Sequence, residues 1–354
     1  MTQLPIIVLV GATASGKTAL LERLCAEGAP FEGRIEVVSA DAMQAYRGMD
    51  IGTAKPGYAL RARIPHHLID VCEPSEQFSV GDFVRLADLA IIDILARGRV
   101  PVVAGGTGFY VRNLVLGLPT VPAVERQTRE SVAADLARLG PSALRLELGS
   151  GDPVSAARIH PNDHYRLCRA VEILRQTGRP LADFLPGGPA GAGFPAADPL
   201  TGRGFTLVEY RRNRDELALR IRARVEAMFA SGLATEVAAF MEAGYGKDSP
   251  GMKAIGYSEF IELAEKGLSP DALIREARER VILDTTRYAK RQYTFFRGLA
   301  RDLAASGGEV VTIEAGPGDA EALAAILGAG TGSSPEPRPP APLRASGSSG
   351  PSAP

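Results

Sequence analysis

The sequence predicts an α/β fold, a parallel sheet flanked by helices. Three observations predict it: aliphatic runs alternate with amphipathic stretches, those runs are continuously apolar, and glycine-rich turns follow two of them. Strands buried on both faces read as unbroken β-branched runs, and such runs separated by helical patterns are βαβ units. IIVLV at 6–10 is the first strand, TALLERLCAEG at 18–28 the first helix and IEVV at 35–38 the second strand. FVRLADLAIIDILARG at 83–98 is a long helix, and VPVVAGG at 100–106 is the third strand. From Pro119 the period turns helical, over 121–140, 155–159 and 162–178, with Pro161 suited to a first turn and Gly178 and Pro180 to a stop. Glycine, proline and alanine crowd the run from Leu185 to Gly204, which reads as a loop. FTLVEY at 205–210 returns the chain to the sheet, and helical periods follow over 215–232, 234–244 and 271–303. No internal repeat is present.

The expected organisation is a core whose first part is 1–118, a largely helical insertion domain at 119–204, and a return to the core with a C-terminal helical layer at 205–327. The Pro/Ser-rich stretch 328–354 has almost nothing to anchor in a core and is expected to be a disordered tail.

The chain has 354 residues, 45% of them hydrophobic, enough for roughly two domains at about 150 residues each. Forty Lys and Arg against forty-one Asp and Glu exclude a basic-tail nucleic-acid binder and an acidic disordered chain, so any polyanion partner needs a local patch. Cys25, Cys72 and Cys168 are odd in number and far apart, which argues against a disulfide framework or zinc ribbon and fits a reducing cytoplasm. No basic flank precedes the apolar run at 4–10, and no apolar stretch approaches the ~20 residues that span a bilayer. Neither a signal peptide nor a membrane partner is expected.

GATASGKT at 11–18 fits G-x-x-x-x-G-K-[ST] at every fixed position, between a strand and a helix. That makes the sheet P-loop NTPase-like. Gly11 and Gly16 let the backbone curl across Ala12, Thr13, Ala14 and Ser15 so that N–H groups point inward. The helix start adds positive dipole, Lys17 a mobile cation and Thr18 a hydroxyl for Mg²⁺. The loop is a cradle for a diphosphate or triphosphate, and leaves open whether phosphate is transferred or departs.

Asp41 ends the second strand, which is expected to neighbour the phosphate-loop strand, at the edge where open α/β sheets bind ligands. Its carboxylate there can hold Mg²⁺ through water, take a proton from an acceptor, or cap a turn. GGTGFY at 105–110 is a second glycine loop, with the Thr107 hydroxyl available to the same pocket. His160, His164 and Cys168 share a helix face but lack a fourth metal ligand and a supporting carboxylate pattern; packing and helix-start roles suit them and the pair His66 and His67 better. Seven arginines lie between Arg203 and Arg224, and eight basic residues between Arg275 and Arg301 with Tyr288, Tyr293, Phe295 and Phe296 among them. Basic helices with interleaved aromatics suit an RNA backbone with unstacked bases; they also describe solvated faces over core aromatics.

Over 5–300 the sequence resembles the tRNA dimethylallyltransferase (tRNA isopentenyltransferase) family. The resemblance is carried by GATASGKT at 11–18, DAMQAYRGMDIGTAKP at 41–56, HHLID at 66–70, GGTGFY at 105–110, HPNDHYRLCRAVEILRQTGRP at 160–180, RIRARVEAMFASGLATEV at 220–237, MKAIGY at 252–257 and TRYAKRQYTFFR at 286–297. It implies that the loop holds dimethylallyl diphosphate with Mg²⁺, while the N6 amine of the adenine 3′ of the anticodon attacks the allylic carbon. It further implies that Asp41 is the base, that Thr107 lies in the catalytic channel and that Arg220 stands near the diphosphate.

Contacts to the tRNA anticodon stem-loop are implied at Asp41, Ala42, Met43 and Gln44, at Arg129, at Tyr165, Arg166, Leu167, Cys168 and Arg169, and at Met252, Lys253, Ala254, Ile255, Gly256 and Tyr257. A cytoplasmic monomer is expected. Ala42 stands where the family has serine, and Phe295 where it has tryptophan. No DDxxD-type carboxylate run is present, so metal handling rests on the loop. A phosphate-loop small-molecule kinase shares the cradle but leaves the basic helices unexplained, and an adenylate isopentenyltransferase leaves the C-terminal stretches unexplained.

Overall fold

The computed structural model describes residues 6–118, 124–184 and 204–329. Six parallel strands form one sheet: β1 (Ile6–Val10), β2 (Ile35–Ser39), β3 (His66–His67), β4 (Val100–Gly105), β5 (Phe205–Arg211) and β6 (Glu309–Glu314), in the order β3-β2-β4-β1-β5-β6. The described helices are α1 (Lys17–Leu24), α2 (Tyr58–Arg63), α3 (Val80–Ala96), α4 (Gly108–Leu116), α5 (Arg126–Leu139), α6 (Pro141–Gly151), α7 (Pro153–Arg158), α8 (His164–Thr177), α9 (Arg214–Ala230), α10 (Leu233–Glu242), α11 (Ser258–Ala264), α12 (Pro270–Ala305) and α13 (Asp319–Ala329).

The alternation of side chains along the strands feeds two cores. Ile6, Val8 and Val10 of β1 pack with Phe83, Ile91, Val111, Phe296 and Leu299 from α3, α4 and α12. Ile7 and Leu9 face the other way, onto Leu20, Leu24, Leu323 and Leu327 from α1 and α13. The helices α5 to α8 share a separate cluster, built on Val132, Leu144, Leu148, Leu167 and Val171. No described helix is long and apolar enough to cross a membrane.

The structure corrects several sequence expectations. The second strand does not neighbour the phosphate-loop strand: β4 lies between them, bonded to β1 on one side and β2 on the other. The connection out of β1 therefore skips a place, which the more apolar 100–105 segment fills at the sheet centre. The second glycine loop thus follows the fourth strand in chain order, because His66–His67 forms a strand too short to carry a β pattern. The C-terminal half is not helical throughout, since β6 pairs along β5 with only Ile313 fully buried. Gly328 and Ala329 belong to α13 rather than to a tail. The expected tail from 330 onward and the expected loop at 185–203 lie outside the described residues.

Backbone crowding locks the sheet edge that carries the site. A Cβ on Gly105 would stand 2.1 Å from the Ala40 carbonyl oxygen. Gly105→Ala is expected to destabilise the fold by about 1–3 kcal/mol, the usual range for overpacking. Chemical denaturation checks this, and an unchanged midpoint would refute the close approach.

Candidate active site

Between the end of β1 and the start of α1 the chain has to turn within six residues, and two glycines allow it. A Cβ on Gly11 would lie 2.4 Å from the Tyr210 carbonyl oxygen on β5, and Gly16 has φ 105°. Arginines from the β5–α9 region hold the loop: Arg212 Nε donates to Ser15 O at 2.7 Å and Arg220 Nε to Ala14 O at 2.9 Å. Inside, Lys17 Nζ donates to Gly11 O at 2.8 Å and Ala12 O at 3.0 Å. The first-turn N–H groups of α1 lack intrahelical acceptors, so they offer donors and positive dipole to an anion.

Burial pushes the Lys17 ammonium down to about 8, with Arg224 adding to the fall and Asp41 opposing it. A lysine attracts diphosphate only while protonated. Affinity of the free protein for a diphosphate ester should therefore hold below about pH 8 and fall as pH rises through that value. The second ionisation of a phosphate ester, near pH 6, is mostly complete by about pH 7 and adds negative charge as pH rises, so the fall belongs to the protein. Titration calorimetry across that interval checks it; constant affinity past Lys17's titration would contradict the assignment.

Two cavities meet at the loop. The first, about 520 Å³, is lined by Thr13, Ala14, Gly16, Lys17, Thr18, Asp41, Gly105, Gly106, Arg220 and Arg224 among others. The second, about 390 Å³, is lined by Met43, Thr107, Val225, Met228, Lys253, Ile255 and Val281 among others. Thr13, Asp41, Arg224 and Tyr288 line both, so the two form one passage with a phosphate cradle at one side and a more apolar chamber at the other. Among the described residues Asp41 is the one carboxylate lining either. Its Oδ1 accepts from the Met43 N–H at 3.0 Å, an Asx turn that fixes the side chain. Thr107 Oγ1 accepts from the Ala42 N–H at 2.9 Å and so ties the second glycine loop to the Asp41 turn.

The remaining expected residues fall into three groups. Gln44 lines the first cavity, its Oε1 accepting from Ser39 Oγ at 3.0 Å, and Lys253, Ala254 and Ile255 line the second. Met252 and Tyr257 are core side chains, and Gly256 takes φ 100° between them; their contribution is to place Lys253 to Ile255. Arg129 and residues 165–169 line neither cavity. They sit on the α5–α8 cluster, where Leu167 is buried, Arg166 pairs with Asp163, Arg169 pairs with Glu172 at 3.2 Å and Tyr165 is 82% exposed. Phe295 packs against Gly108 and the Phe109 ring, so an aromatic there supports the glycine loop from beneath.

Arg224, Tyr288 and Gln292, none of them an expected site residue, also line the first cavity. Arg224 makes no hydrogen bond or ion pair among the described residues; burial lowers its pKa while Asp41 opposes that shift. Gln292 takes the Thr13 N–H on Oε1 at 2.8 Å and donates Nε2 to Gly106 O at 2.8 Å. The available signal was spacing, since Arg220 and Arg224 on one helix, and Tyr288 and Gln292 on another, are i,i+4 pairs that share a face.

The donor set also tests a metal. No group of three or more His, Cys, Asp or Glu side chains that could hold one occurs among the described residues. Mg²⁺ does not require such a cage, because it keeps waters and binds through one or two protein oxygens plus substrate phosphates. The Thr18 hydroxyl on the first cavity fits that mode.

A parallel α/β sheet with a phosphate loop at its carboxyl edge, a lone carboxylate across the cavity and an apolar chamber beyond defines a phosphate-loop group transferase. Residues 44–299 match the family described as IPP transferase, and the chain belongs to that family. It is a prenyltransferase. Among relatives, it is 42% identical over 294 residues to a protein of Geotalea uraniireducens (strain Rf4) named tRNA dimethylallyltransferase 2, covering 83% of this chain and 89% of that one. The crystal structure of the tRNA isopentenylpyrophosphate transferase of Bacillus halodurans superposes with TM-score 0.60 at 32% identity, over 92% of this chain and 98% of that one. A eukaryotic dimethylallyltransferase seen acting on tRNA superposes with TM-score 0.73, over 91% of this chain and 78% of that one; at 24% identity that likeness is one of fold.

Proposed function

We propose that this protein transfers a dimethylallyl group from dimethylallyl diphosphate to the N6 amine of the adenine 3′ of the anticodon in tRNAs, releasing diphosphate. The single observation that carries the reading is the passage in which Asp41 stands between the phosphate loop and the apolar chamber. The diphosphate enters the loop, and the adenine, unstacked from the anticodon loop, enters the chamber. As N6 bonds to the allylic carbon, the carbon–oxygen bond breaks and its electron pair leaves with the diphosphate. The loop N–H groups, Lys17, Arg220 and Arg224 meet that charge as it develops, which stabilises the transition state more than the ground state. Asp41 takes the N6 proton, a necessary task because the amine's lone pair is delocalised into the ring. Thr107 holds the Asp41 turn in place. The Thr18 hydroxyl would hold a Mg²⁺ ion, which would supply further neutralisation of the diphosphate.

The insertion at 119–204 binds the anticodon stem-loop through Arg129, Tyr165, Arg166 and Arg169, in the cytoplasm where tRNA is processed. Such a clamp gives tRNA an advantage that a mononucleotide lacks. tRNA affinity should fall steeply with salt as counterions are released, and adenosine monophosphate should be a poor acceptor. Titration at several salt concentrations with parallel acceptor assays tests both. A mononucleotide that reacts as well as tRNA would favour adenylate prenylation instead.

A further inference from the structure

We propose that Gln292 closes the third-phosphate position of the loop, so that the cradle accepts two phosphates and the place facing Asp41 is kept for a carbon group. The proposal rests on the reading that the loop holds a prenyl diphosphate. In loops of this sequence the N–H groups cradle the first two phosphates, and the lysine reaches toward the outermost. Here Lys17 Nζ lies on Gly11 O and Ala12 O, which places the outward end of a phosphate chain beside Gly11 to Thr13.

At that end the donor is already taken. The Thr13 N–H is bonded to Gln292 Oε1, and Gln292 Nε2 is bonded in turn to Gly106 O on the facing loop. The amide is buried and closely apposed to the facing loop. Gln292 is 5% exposed, and a Cβ on Gly106 would stand 2.2 Å from Nε2. Tyr288, one turn earlier on α12, donates to the same Gly106 carbonyl at 3.4 Å and braces the staple.

A third phosphate would meet carbonyl and amide oxygens with their donors spent, and could bind only by breaking two hydrogen bonds of a buried side chain. An allylic carbon carries no negative charge and gains partial positive charge as its bond to oxygen breaks. Oxygen atoms are favourable neighbours for it. Gln292 therefore acts as a positioning and specificity-determining residue, joining the diphosphate loop to the loop that carries Thr107.

The test compares inorganic diphosphate with inorganic tripolyphosphate by titration calorimetry, in one magnesium-containing buffer. Gln292→Ala frees the Thr13 N–H, and the ratio of tripolyphosphate Kd to diphosphate Kd should fall by about tenfold or more, the worth of one hydrogen bond to a charged group. Gln292→Glu keeps an oxygen on that N–H and adds a negative charge, so its ratio should stay at or above wild type. If Gln292→Ala does not fold, Gln292→Asn, too short to reach both partners, should show the same fall. An unchanged ratio in the folded Ala or Asn variant overturns the proposal. A wild-type protein that transfers no dimethylallyl group overturns the functional reading instead, whatever the ratio.

Discussion

Lys17→Ala should lose tight binding of dimethylallyl diphosphate, with KM raised by about a hundredfold or more and turnover reduced as well, the range set by removing a preorganised charge from an anion site. Lys17 is the loop's own cation, and its two hydrogen bonds are to carbonyl oxygens rather than a carboxylate. No ion pair among the described residues engages its charge, which is therefore available to the ligand. Arg220 does not replace it, because its Nε is held at Ala14 O and its guanidinium is a second donor beside the loop rather than the cation within it. The fold should survive, since Lys17 belongs to none of the apolar clusters. Direct binding of the labelled diphosphate, alongside a melting curve, separates loss of ligand from loss of structure; full binding by a folded variant would refute the cradle.

Asp41→Ala should keep both the fold and diphosphate affinity while turnover falls by roughly 10²- to 10⁴-fold, the usual worth of a positioned base. Asp41→Asn is the sharper variant. An amide oxygen can still accept the Met43 N–H that now bonds Oδ1, so the turn is preserved and the proton acceptor alone is removed. Single-turnover rates with saturating dimethylallyl diphosphate read the chemical step directly. Full activity in either variant would remove Asp41 from that role.

How much of this was legible in the sequence depended on whether a feature was local. The phosphate loop is eight consecutive residues between a strand and a helix, and both flanks are apolar enough to be read unaided. Asp41 was found because it ends a continuous aliphatic run. The order of strands was not local: β4 enters between β1 and β2 through pairings that no segment encodes alone, and the expected adjacency failed there. β6 escaped because an edge strand buries one side chain in six and so lacks the apolar run of its neighbours. Gln292 is 279 residues from Thr13, and only the path of α12 past both loops brings them together. The basic surfaces show the opposite limit, because counting arginines did not separate Arg212, engaged at Ser15 O, from Arg224, which faces the passage without a partner among the described residues.

The pairing of donor and acceptor is the central claim, and one measurement reaches it directly. Purified protein is incubated with dimethylallyl diphosphate labelled in the prenyl carbon, Mg²⁺ and unmodified tRNA, and the tRNA is digested to nucleosides. The expected result is label in a single adenosine derivative carrying the five-carbon group on N6, mapped to the position 3′ of the anticodon, with one diphosphate released for each group transferred. Unlabelled tRNA from protein that binds the diphosphate, or label recovered in free adenylate instead, would contradict it.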